Sequence, residues 1–250
     1  MSERRVVYGL HAVTAALRRR PGAVFEVFLA GGRSDPRARR VAELAKTAGV
    51  RLHEVDVERL NGFAKGGRHQ GVAAFVEQVS LAASLDDVLD DLAEPALLLV
   101  LDGVQDPHNL GACLRVADGM GVHAVVAPKD RATGLTATVH KVASGAAESV
   151  PFVAVTNLAR TLRELKDKGI WVVGAVGDGA VRTLFDAKLS GPLALVVGAE
   201  DEGLRRLTRE TCDELLSIPM LGQVESLNVS VAAGILLYEA RRQRSESRKA

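Results

Sequence analysis

The chain has 250 residues, enough for one large domain or two small ones. Apolar residues make up 47% and charged residues 25%, a balance that excludes a mainly disordered protein. The longest apolar runs, Ala96–Leu101 and Leu193–Ala199, are far shorter than the roughly 18 residues that a membrane helix needs. The N-terminus also lacks the apolar core of a secretory signal, so we expect a cytoplasmic protein.

Charge is distributed unevenly along the chain. Residues 1–76 carry 14 basic and 7 acidic side chains, a balance of +7, whereas residues 77–250 carry 18 and 24, a balance of −6. This asymmetry indicates that the basic part binds a polyanion. The alternative is that its arginines only solvate helix faces. The two cysteines, Cys113 and Cys212, are too few for a disulfide scaffold or a cysteine-rich zinc site.

The first 76 residues predict a small α/β domain. One helix begins near Gly9 and ends before Pro21, and an arginine-rich helix begins at Pro36 and ends at Gly49. Strands are predicted at Val24–Ala30, Val50–Val55 and Val72–Val76. The acidic, polar stretch 77–94 predicts a linker, within which Ser84–Asp87 resembles the start of a short capped helix.

From residue 95 to residue 244 the pattern changes to continuous apolar runs that alternate with helices. Such runs are typical of parallel strands buried on both faces. They are Leu97–Leu101, Ala124–Ala127, Ile170–Val176, Leu193–Gly198 and Leu215–Pro219. One intervening helix is predicted from Asn157, its cap, to Lys168, with a Glu164–Lys168 ion pair on its surface. The polar end, residues 245–250, predicts a disordered tail.

Three polar segments follow predicted strands, at the sheet edge where ligands bind in open α/β folds. The first contains Asn109, which we assign to a helix N-cap, and Arg115 six residues later. Small residues share the face of Arg115, so a bulky group can approach its guanidinium. They are Gly111, Ala112 and Gly119. A surface ion pair between Arg115 and Asp118 is the alternative.

The second segment places Glu200 between Gly198 and Gly203, which suggests a backbone opened to a ligand. The third contains Ser226 and Asn228, either of which would cap the last helix. One side of that helix is apolar and serves either the core or an interface. It is formed by Val231, Ile235 and Tyr238.

Together these segments resemble the three signature motifs of the SpoU (TrmH-like) family, RNA ribose 2′-O-methyltransferases of the SPOUT superfamily. The resemblance spans Ala96 to about Arg244 and implies an α/β domain with a parallel sheet and a deep trefoil knot. Tyr8–Ala12 and His69–Val72 resemble the family's substrate-binding domain, which is similar to ribosomal protein L30e. Further stretches are most similar to members that methylate a guanosine ribose in bacterial 23S ribosomal RNA. They are Asp130–Arg131, Lys141–Pro151 and Ser226–Ala232.

The resemblance implies S-adenosylmethionine as the cofactor, a homodimer formed through the knot, and no metal. Gly198, Ile218 and Leu227 match positions that contact the cofactor, largely through backbone groups. Arg115 matches the residue that activates the ribose hydroxyl. Because a guanidinium stays protonated, we expect Arg115 to gather a phosphate and to stabilise the developing oxyanion.

In the same family pattern, Asn109 and Glu200 orient Arg115 by hydrogen bonds, while Ser226 and Asn228 hold the ribose and the knot loop. A sister enzyme acting on transfer RNA or on a ribosomal adenosine is the nearest alternative. Transfer-RNA members typically lack the N-terminal domain, which favours ribosomal RNA. A catalytically silent RNA-binding assembly factor is a third hypothesis, and the intact motif residues argue against it.

Overall fold

The structure, a computed structural model, describes residues 4–247 apart from residues 20, 34, 65, 78–83, 91, 178–181 and 201. The chain divides into two compact units, Met1–Ser80 and Leu81–Ala250. The division falls within the stretch 77–94 that the sequence predicts as a linker.

The first unit is a four-stranded sheet covered by three helices. Its elements are β1 (Arg4–Tyr8), α1 (Leu10–Arg19), β2 (Val24–Ala30), α2 (Pro36–Thr47), β3 (Arg51–Val55), α3 (Val57–Ala64) and β4 (Val72–Glu77). β4 lies between β1 and β2 and runs antiparallel to both, and β3 pairs parallel with β2. Val27 packs with α1 and α2 on one face, and Phe28 packs against Leu60 of α3 on the other.

The second unit is built on a parallel sheet. Its elements are α4 (Leu85–Asp90), β5 (Leu97–Asp102), α5 (Pro107–Gly119), β6 (Ala124–Pro128), α6 (Ala137–Ala143), β7 (Phe152–Val155), α7 (Leu158–Asp167), β8 (Trp171–Ala175), β9 (Arg182–Thr183), β10 (Leu193–Gly198), α8 (Arg206–Thr211), β11 (Glu214–Ser217) and α9 (Val229–Ser247). In the described part of the chain seven strands pair in the order β7-β6-β5-β10-β8-β11-β9, all parallel. The predicted α/β class and parallel sheet are confirmed, and the trefoil knot stays a prediction.

Helices on both faces bury the central strands completely. Leu97, Leu99 and Leu101 of β5 point into a core shared with α5, α6 and α9. Leu98 and Val100 point the other way, into a core shared with α7 and flanked by α4. A strand covered on both faces has no solvent side, which explains the continuous apolar runs in the sequence. Among the described residues, no helix is both long and apolar enough to cross a membrane.

The predicted linker and the predicted tail both contain helix. In the predicted linker, Ser84 and Asp87 cap α4 reciprocally, as the sequence indicated. The apolar side of α4 packs against the core of the second unit, so this part of the predicted linker belongs to the folded domain. α9 continues through Ser247, so the predicted tail is wrong for residues 245–247, while residues 248–250 lie outside the described residues. Buried Arg244 anchors the last turns of α9 by donating to backbone carbonyls of Pro95, Ala96 and Gly191.

The surface of α7 differs from the prediction in one ion pair. Asn157 caps the helix by accepting a hydrogen bond from the backbone N–H of Arg160, as expected. The predicted Glu164–Lys168 pair is wrong. Glu164 instead pairs with Arg160 at 2.9 Å, one turn earlier, and Lys168 pairs with Asp86 of α4 at 3.1 Å. Lys168 follows the last turn of the helix, where α4 is within its reach.

Both cysteines are free thiols. Cys113 is buried under the sheet, and burial raises its pKa to about 12. Burial likewise raises the pKa of the half-buried Cys212 to about 12. Neither thiol is ionised near neutral pH, so both act as packing residues.

His123 makes the stability of the second unit depend on pH. Its Nδ1 accepts a hydrogen bond from the backbone N–H of Leu97 at 2.9 Å, and its Nε2 lies 3.1 Å from Glu94 Oε1. Burial lowers the pKa of His123, with Arg241 and Arg244 acting in the same direction and Glu94 opposing them. The unfolded chain, with a histidine pKa of about 6.5, therefore takes up this proton more readily than the folded chain.

We expect stability to be lost as pH falls from about 6.5 through the lower folded pKa of His123. The His123→Gln variant keeps an acceptor for Leu97 N–H but has no proton to take up. Urea unfolding at two pH values, about one unit either side of 6.5, followed by fluorescence of the single tryptophan, Trp171, measures the effect. Between the higher and the lower pH, the free energy of unfolding should fall more for the wild-type protein than for the variant. Equal losses in the two proteins would contradict this role.

Candidate functional site

The three motif segments meet at one edge of the parallel sheet. β5, β10 and β11 are parallel members of that sheet, so their carboxyl ends lie on the same side. The segments that follow these strands carry Asn109, Glu200 and Asn228. The structure brings these three side chains into direct contact, although 91 residues separate the first two.

Glu200 is the centre of this contact. Its Oε1 accepts hydrogen bonds from Asn109 Nδ2 at 3.2 Å, from the backbone N–H of Val229 at 3.3 Å, and from Asn228 Nδ2. Asn228 Nδ2 also donates to Asn109 Oδ1 at 2.9 Å. Because an ionised carboxylate only accepts, it fixes the orientation of both amides. Its negative charge also lies at the N-terminus of α9, where the helix dipole favours it.

The position of Asn109 within α5 differs from the prediction. The helix begins two residues earlier, at Pro107, and Asp106 is the N-cap, accepting from the backbone N–H of His108 at 3.0 Å. Aspartate at the N-cap followed by proline at the first helical position strongly favours a helix start, so α5 begins there and not at Asn109. Asn109 is therefore inside the first turn, and its amide is left to contact Glu200.

Arg115 is exposed, and it makes no hydrogen bond or ion pair with the described part of the chain. The expected hydrogen bonds from the Arg115 guanidinium to Asn109 and Glu200 are absent among the described residues. Six residues of helix place Arg115 about 9 Å further along the axis than Asn109. The alternative pair with Asp118 is not formed either, and Asp118 accepts a hydrogen bond from Ser149 Oγ at 2.5 Å.

The small residues near Arg115 serve different purposes. A Cβ on Gly111 would lie 2.7 Å from Cβ of Val142, because α6 packs closely on α5 at this point. The prediction that this face is open is therefore wrong at Gly111. At Gly119 it holds, since nothing lies within 4 Å of the place a Cβ would take.

Asn228 has a structural role and a site role at once. Its Oδ1 accepts from the backbone N–H of Ser230 at 2.9 Å and from Ser230 Oγ at 2.6 Å, which caps the start of α9. Its Nδ2 simultaneously faces Glu200. Ser226 is exposed and makes no hydrogen bond with a described residue, so the cap belongs to Asn228 alone.

The backbone after β10 folds back on itself at Gly198. A Cβ there would lie 2.1 Å from the carbonyl carbon and oxygen of Gly203. Gly203 takes a left-handed conformation with φ of +62°, and its N–H donates to Ala199 O at 2.9 Å. The space left by the missing side chain of Gly198 is thus filled by the protein's own chain, and only backbone atoms of Gly198 are left for a ligand.

The other two residues assigned to cofactor binding, Ile218 and Leu227, are half-buried at the two ends of the segment between β11 and α9. From Met220 to Leu227 no backbone N–H donates to the described part of the chain. A loop with such donors suits a ligand recognised through backbone groups, and cofactor binding at these positions stays a prediction from the family resemblance. Within the described residues, no three His, Cys, Asp or Glu side chains come together as a metal-ion site.

Six basic residues of the first unit flank glycine-rich turns or an exposed helix face, where the sequence predicts that they contact RNA phosphates. They are Arg33, Arg37, Arg39, Arg40, Lys65 and Arg68. Arg37, Arg40 and Arg68 are exposed and pair with no described residue, and Arg39 is also exposed. Arg33 is engaged internally, since it donates to the carboxylate of Asp35 and to the carbonyl of Gln70. Lys65 lies outside the described residues.

The sequence analysis predicted no role for Asp102, the last residue of β5, or for its partner Arg205. The side chain of Asp102 is fully buried and forms an ion pair with Arg205 beside the Glu200 loop. A carboxylate that ends an otherwise apolar buried strand is uncommon, because aspartate is rarely buried without a partner. An aspartate at the end of an apolar strand was therefore the sequence signal that could have identified Asp102.

Comparisons with known proteins identify the same family that the sequence motifs resemble. A model of the SpoU rRNA Methylase family matches residues 96–238, and a model of RNA 2′-O ribose methyltransferase substrate binding matches residues 6–82. A relative from Ralstonia nicotianae, the 23S rRNA (guanosine-2′-O-)-methyltransferase RlmB, is 59% identical over 98% of this chain and 98% of its own length.

Solved structures show the same architecture. The SpoU methyltransferase AviRb from Streptomyces viridochromogenes, in complex with AdoMet, superposes with a TM-score of 0.75 at 26% identity, over 97% of this chain and 91% of its own. The TrmH/SpoU tRNA modifying enzyme of A. aeolicus gives a TM-score of 0.56 at 32% identity. That match covers 62% of this chain and 78% of the A. aeolicus chain.

Proposed function

Because this chain belongs to the SpoU rRNA methylase family, we propose that it methylates the 2′-hydroxyl of a guanosine ribose in 23S ribosomal RNA. The observation that carries the proposal is the hydrogen-bonded meeting of Asn109, Glu200 and Asn228, which joins all three family motifs at one site. A relative acting on a guanosine of 23S rRNA matches the chain over nearly its full length.

The chemistry requires a ribose hydroxyl to become a better nucleophile. S-Adenosylmethionine, the cofactor of this family, supplies an electrophilic methyl group when bound. Arg115 stays protonated near neutral pH, so it acts as a cation and not as a base. Exposed and without a partner among the described residues, its guanidinium is available to bind the neighbouring phosphate and to stabilise charge growing on the 2′-oxygen.

The remaining site residues hold this arrangement. The backbone of the segment from Ile218 to Leu227, together with Gly198, would bind the cofactor. Asn109, Glu200 and Asn228 fix the position of that segment where α9 begins. Ser226, exposed between the segment and the helix, would contact the ribose.

The first unit favours ribosomal RNA as the substrate. It matches a substrate-binding model and carries the excess of positive charge. The tRNA modifying enzyme of A. aeolicus aligns with only 62% of this chain. A ribosomal RNA substrate also implies a cytoplasmic location, which we propose on that ground alone.

Ribose-methylation mapping tests the proposed activity. When 23S rRNA is incubated with the pure protein and S-adenosylmethionine, one guanosine should gain a 2′-O-methyl group. The same RNA with 2′-deoxyguanosine at that position should gain none. Methylation of transfer RNA or of an adenosine instead would identify a sister activity. RNA binding without cofactor binding, measured by calorimetry, would identify an assembly factor. Either result contradicts the proposal.

The protein is further proposed to be a homodimer that uses the apolar side of α9. Val231, Ile235 and Tyr238 are exposed on that side, and they line a groove with Leu184 and Phe185. Phe185 is 81% exposed, and a contiguous exposed apolar patch of this kind marks an interaction surface.

Light scattering at micromolar concentration should give twice the mass of the chain. The Tyr238→Arg variant should shift the protein toward monomer, because it buries a charge in the interface. Leu207→Arg is the control, since Leu207 is an exposed leucine on α8 that does not line this groove. A wild-type monomer, or equal effects of the two variants, would disprove this interface.

A further inference from the structure

Asp102 is a buried charge whose hydrogen-bond partner, among the residues that the structure describes, is Arg205. It is 1% exposed, at the carboxyl end of β5. Its Oδ2 accepts from the backbone N–H of Arg205 at 2.9 Å, and its Oδ1 accepts from Arg205 Nε at 2.6 Å. Arg205 Nη2 also lies 2.5 Å from Oδ1. Side-chain and backbone donors of the same arginine thus compensate the carboxylate, as a buried charge requires.

Asp102 contacts both ends of the loop that carries Glu200, one through its backbone and the other through its side chain. At the start of the loop, the backbone N–H of Ala199 donates to the carbonyl of Asp102 at 3.1 Å. At its end, Arg205 is held by the Asp102 side chain and leads into α8. Between these two attachments the chain crosses over Gly198, as described above. Asp102 therefore anchors the loop at both ends, and Glu200 has little freedom to move relative to β5.

We propose that Asp102 and Arg205 are positioning residues for methyl transfer, which act by holding Glu200 where it contacts Asn109 and Asn228. The inference rests on the proposed function for its activity readout only. The planar guanidinium of Arg205 is essential to this positioning role, because a lysine side chain offers one point charge in place of several fixed hydrogen-bond donors. Asp102 is buried and the Arg205 side chain is bonded to it, so we expect their effect to be transmitted through the Glu200 carboxylate.

The Arg205→Lys variant is the main test, because it keeps a positive charge beside Asp102 and so retains the fold. We expect kcat to fall by about 10-fold to 10²-fold, with RNA affinity unchanged, since small displacements of site groups cost that much. Arg206→Ala is the matched control. Arg206 is the next residue and is exposed, and within the described part of the chain its side chain bonds Glu210 of its own helix at 2.9 Å. This control should retain wild-type kcat.

A double-mutant cycle separates positioning from general destabilisation. If Arg205 acts through Glu200, then Arg205→Lys combined with Glu200→Gln should be no slower than the slower single variant. Independent effects would instead multiply. Multiplied losses, or a kcat for Arg205→Lys equal to that of the control, would overturn the proposal.

Amide hydrogen exchange gives a second readout that needs no activity. The N–H of Val229 donates to Glu200 Oε1 and lies 24 residues beyond Arg205 in the sequence. It should exchange several-fold faster in Arg205→Lys and at the wild-type rate in Arg206→Ala. Unchanged exchange at Val229 in Arg205→Lys would refute the role. If the wild-type protein methylates no RNA, the proposed function fails, and Val229 exchange still decides the inference.

Discussion

Replacing Arg115 by alanine is expected to lower kcat for methyl transfer by about 10²–10³-fold, the usual cost of losing one preorganised charge at a developing oxyanion. Affinity for S-adenosylmethionine should stay nearly unchanged. The side chain is exposed and has no partner among the described residues, so its removal leaves no buried group unpaired. Methyl uptake by RNA gives kcat, and calorimetry gives the cofactor affinity.

The control for Arg115 is Arg163→Ala. Arg163 is also an exposed arginine without a described partner, but α7 covers the opposite face of the sheet from α5. It should retain wild-type turnover. An Arg115→Lys variant keeps the positive charge but lacks the planar guanidinium, so its kcat should lie between those of Arg115→Ala and the wild-type protein. Near-normal turnover of Arg115→Ala would show that Arg115 is only a surface residue.

Removing three positive charges from the first unit is expected to weaken RNA binding strongly. Arg37, Arg40 and Arg68 are the exposed candidates, and each can be changed to glutamine in the full chain. If each contacts one phosphate, the slope of log affinity against log salt should become shallower by about 2–3. Affinity near 0.1 M salt should then fall by about 10²-fold, because fewer counterions are released on binding.

A variant with three exposed arginines of the second unit changed to glutamine controls for net charge alone. Its positions are Arg160, Arg163 and Arg206. Its salt slope should stay close to that of wild type. Removing the whole first unit, up to Ser80, should flatten the slope further and leave cofactor binding intact, because the motif residues all lie beyond Ala96. An unchanged slope in the Arg37, Arg40 and Arg68 variant would mean that these arginines only solvate their helix and loop.

The central strands could be predicted from the sequence because burial on both faces leaves an unbroken apolar run. β10 begins and ends at the predicted residues, and β5 differs by one residue. The strands that escaped prediction lie at the ends of the sheets: β1, with two arginines among five residues, and β7 and β9, with four and two residues. Edge and short strands need less apolar sequence, so their pattern is weak.

The site was less predictable than the strands. No spacing rule connects Glu200 with Asn109 or Asn228. The strand ends predicted one sheet edge for their three segments, and the family resemblance assigned these residues to a single site. The same resemblance implied hydrogen bonds to Arg115 that the described residues do not form. Asn109 was misassigned as a cap because the stronger cap, Asp106 before Pro107, lies three residues earlier. Asn228 both caps α9 through its Oδ1 and donates to Glu200 through its Nδ2. The second contact is with a residue distant in sequence, so only the structure shows it.

The side chains that meet at Glu200 come from the early, middle and late parts of the second unit. Asn228 bonds Asn109 across a sequence separation of 119 residues, so this contact closes a long loop. Its entropy cost is unfavourable until much of the sheet is in place. A chain still emerging from the ribosome can complete β5, α5 and β10, yet it has no Asn228 to contribute. We therefore expect the site to assemble late in folding, and we expect no methyl transfer by the nascent protein until α9 has docked.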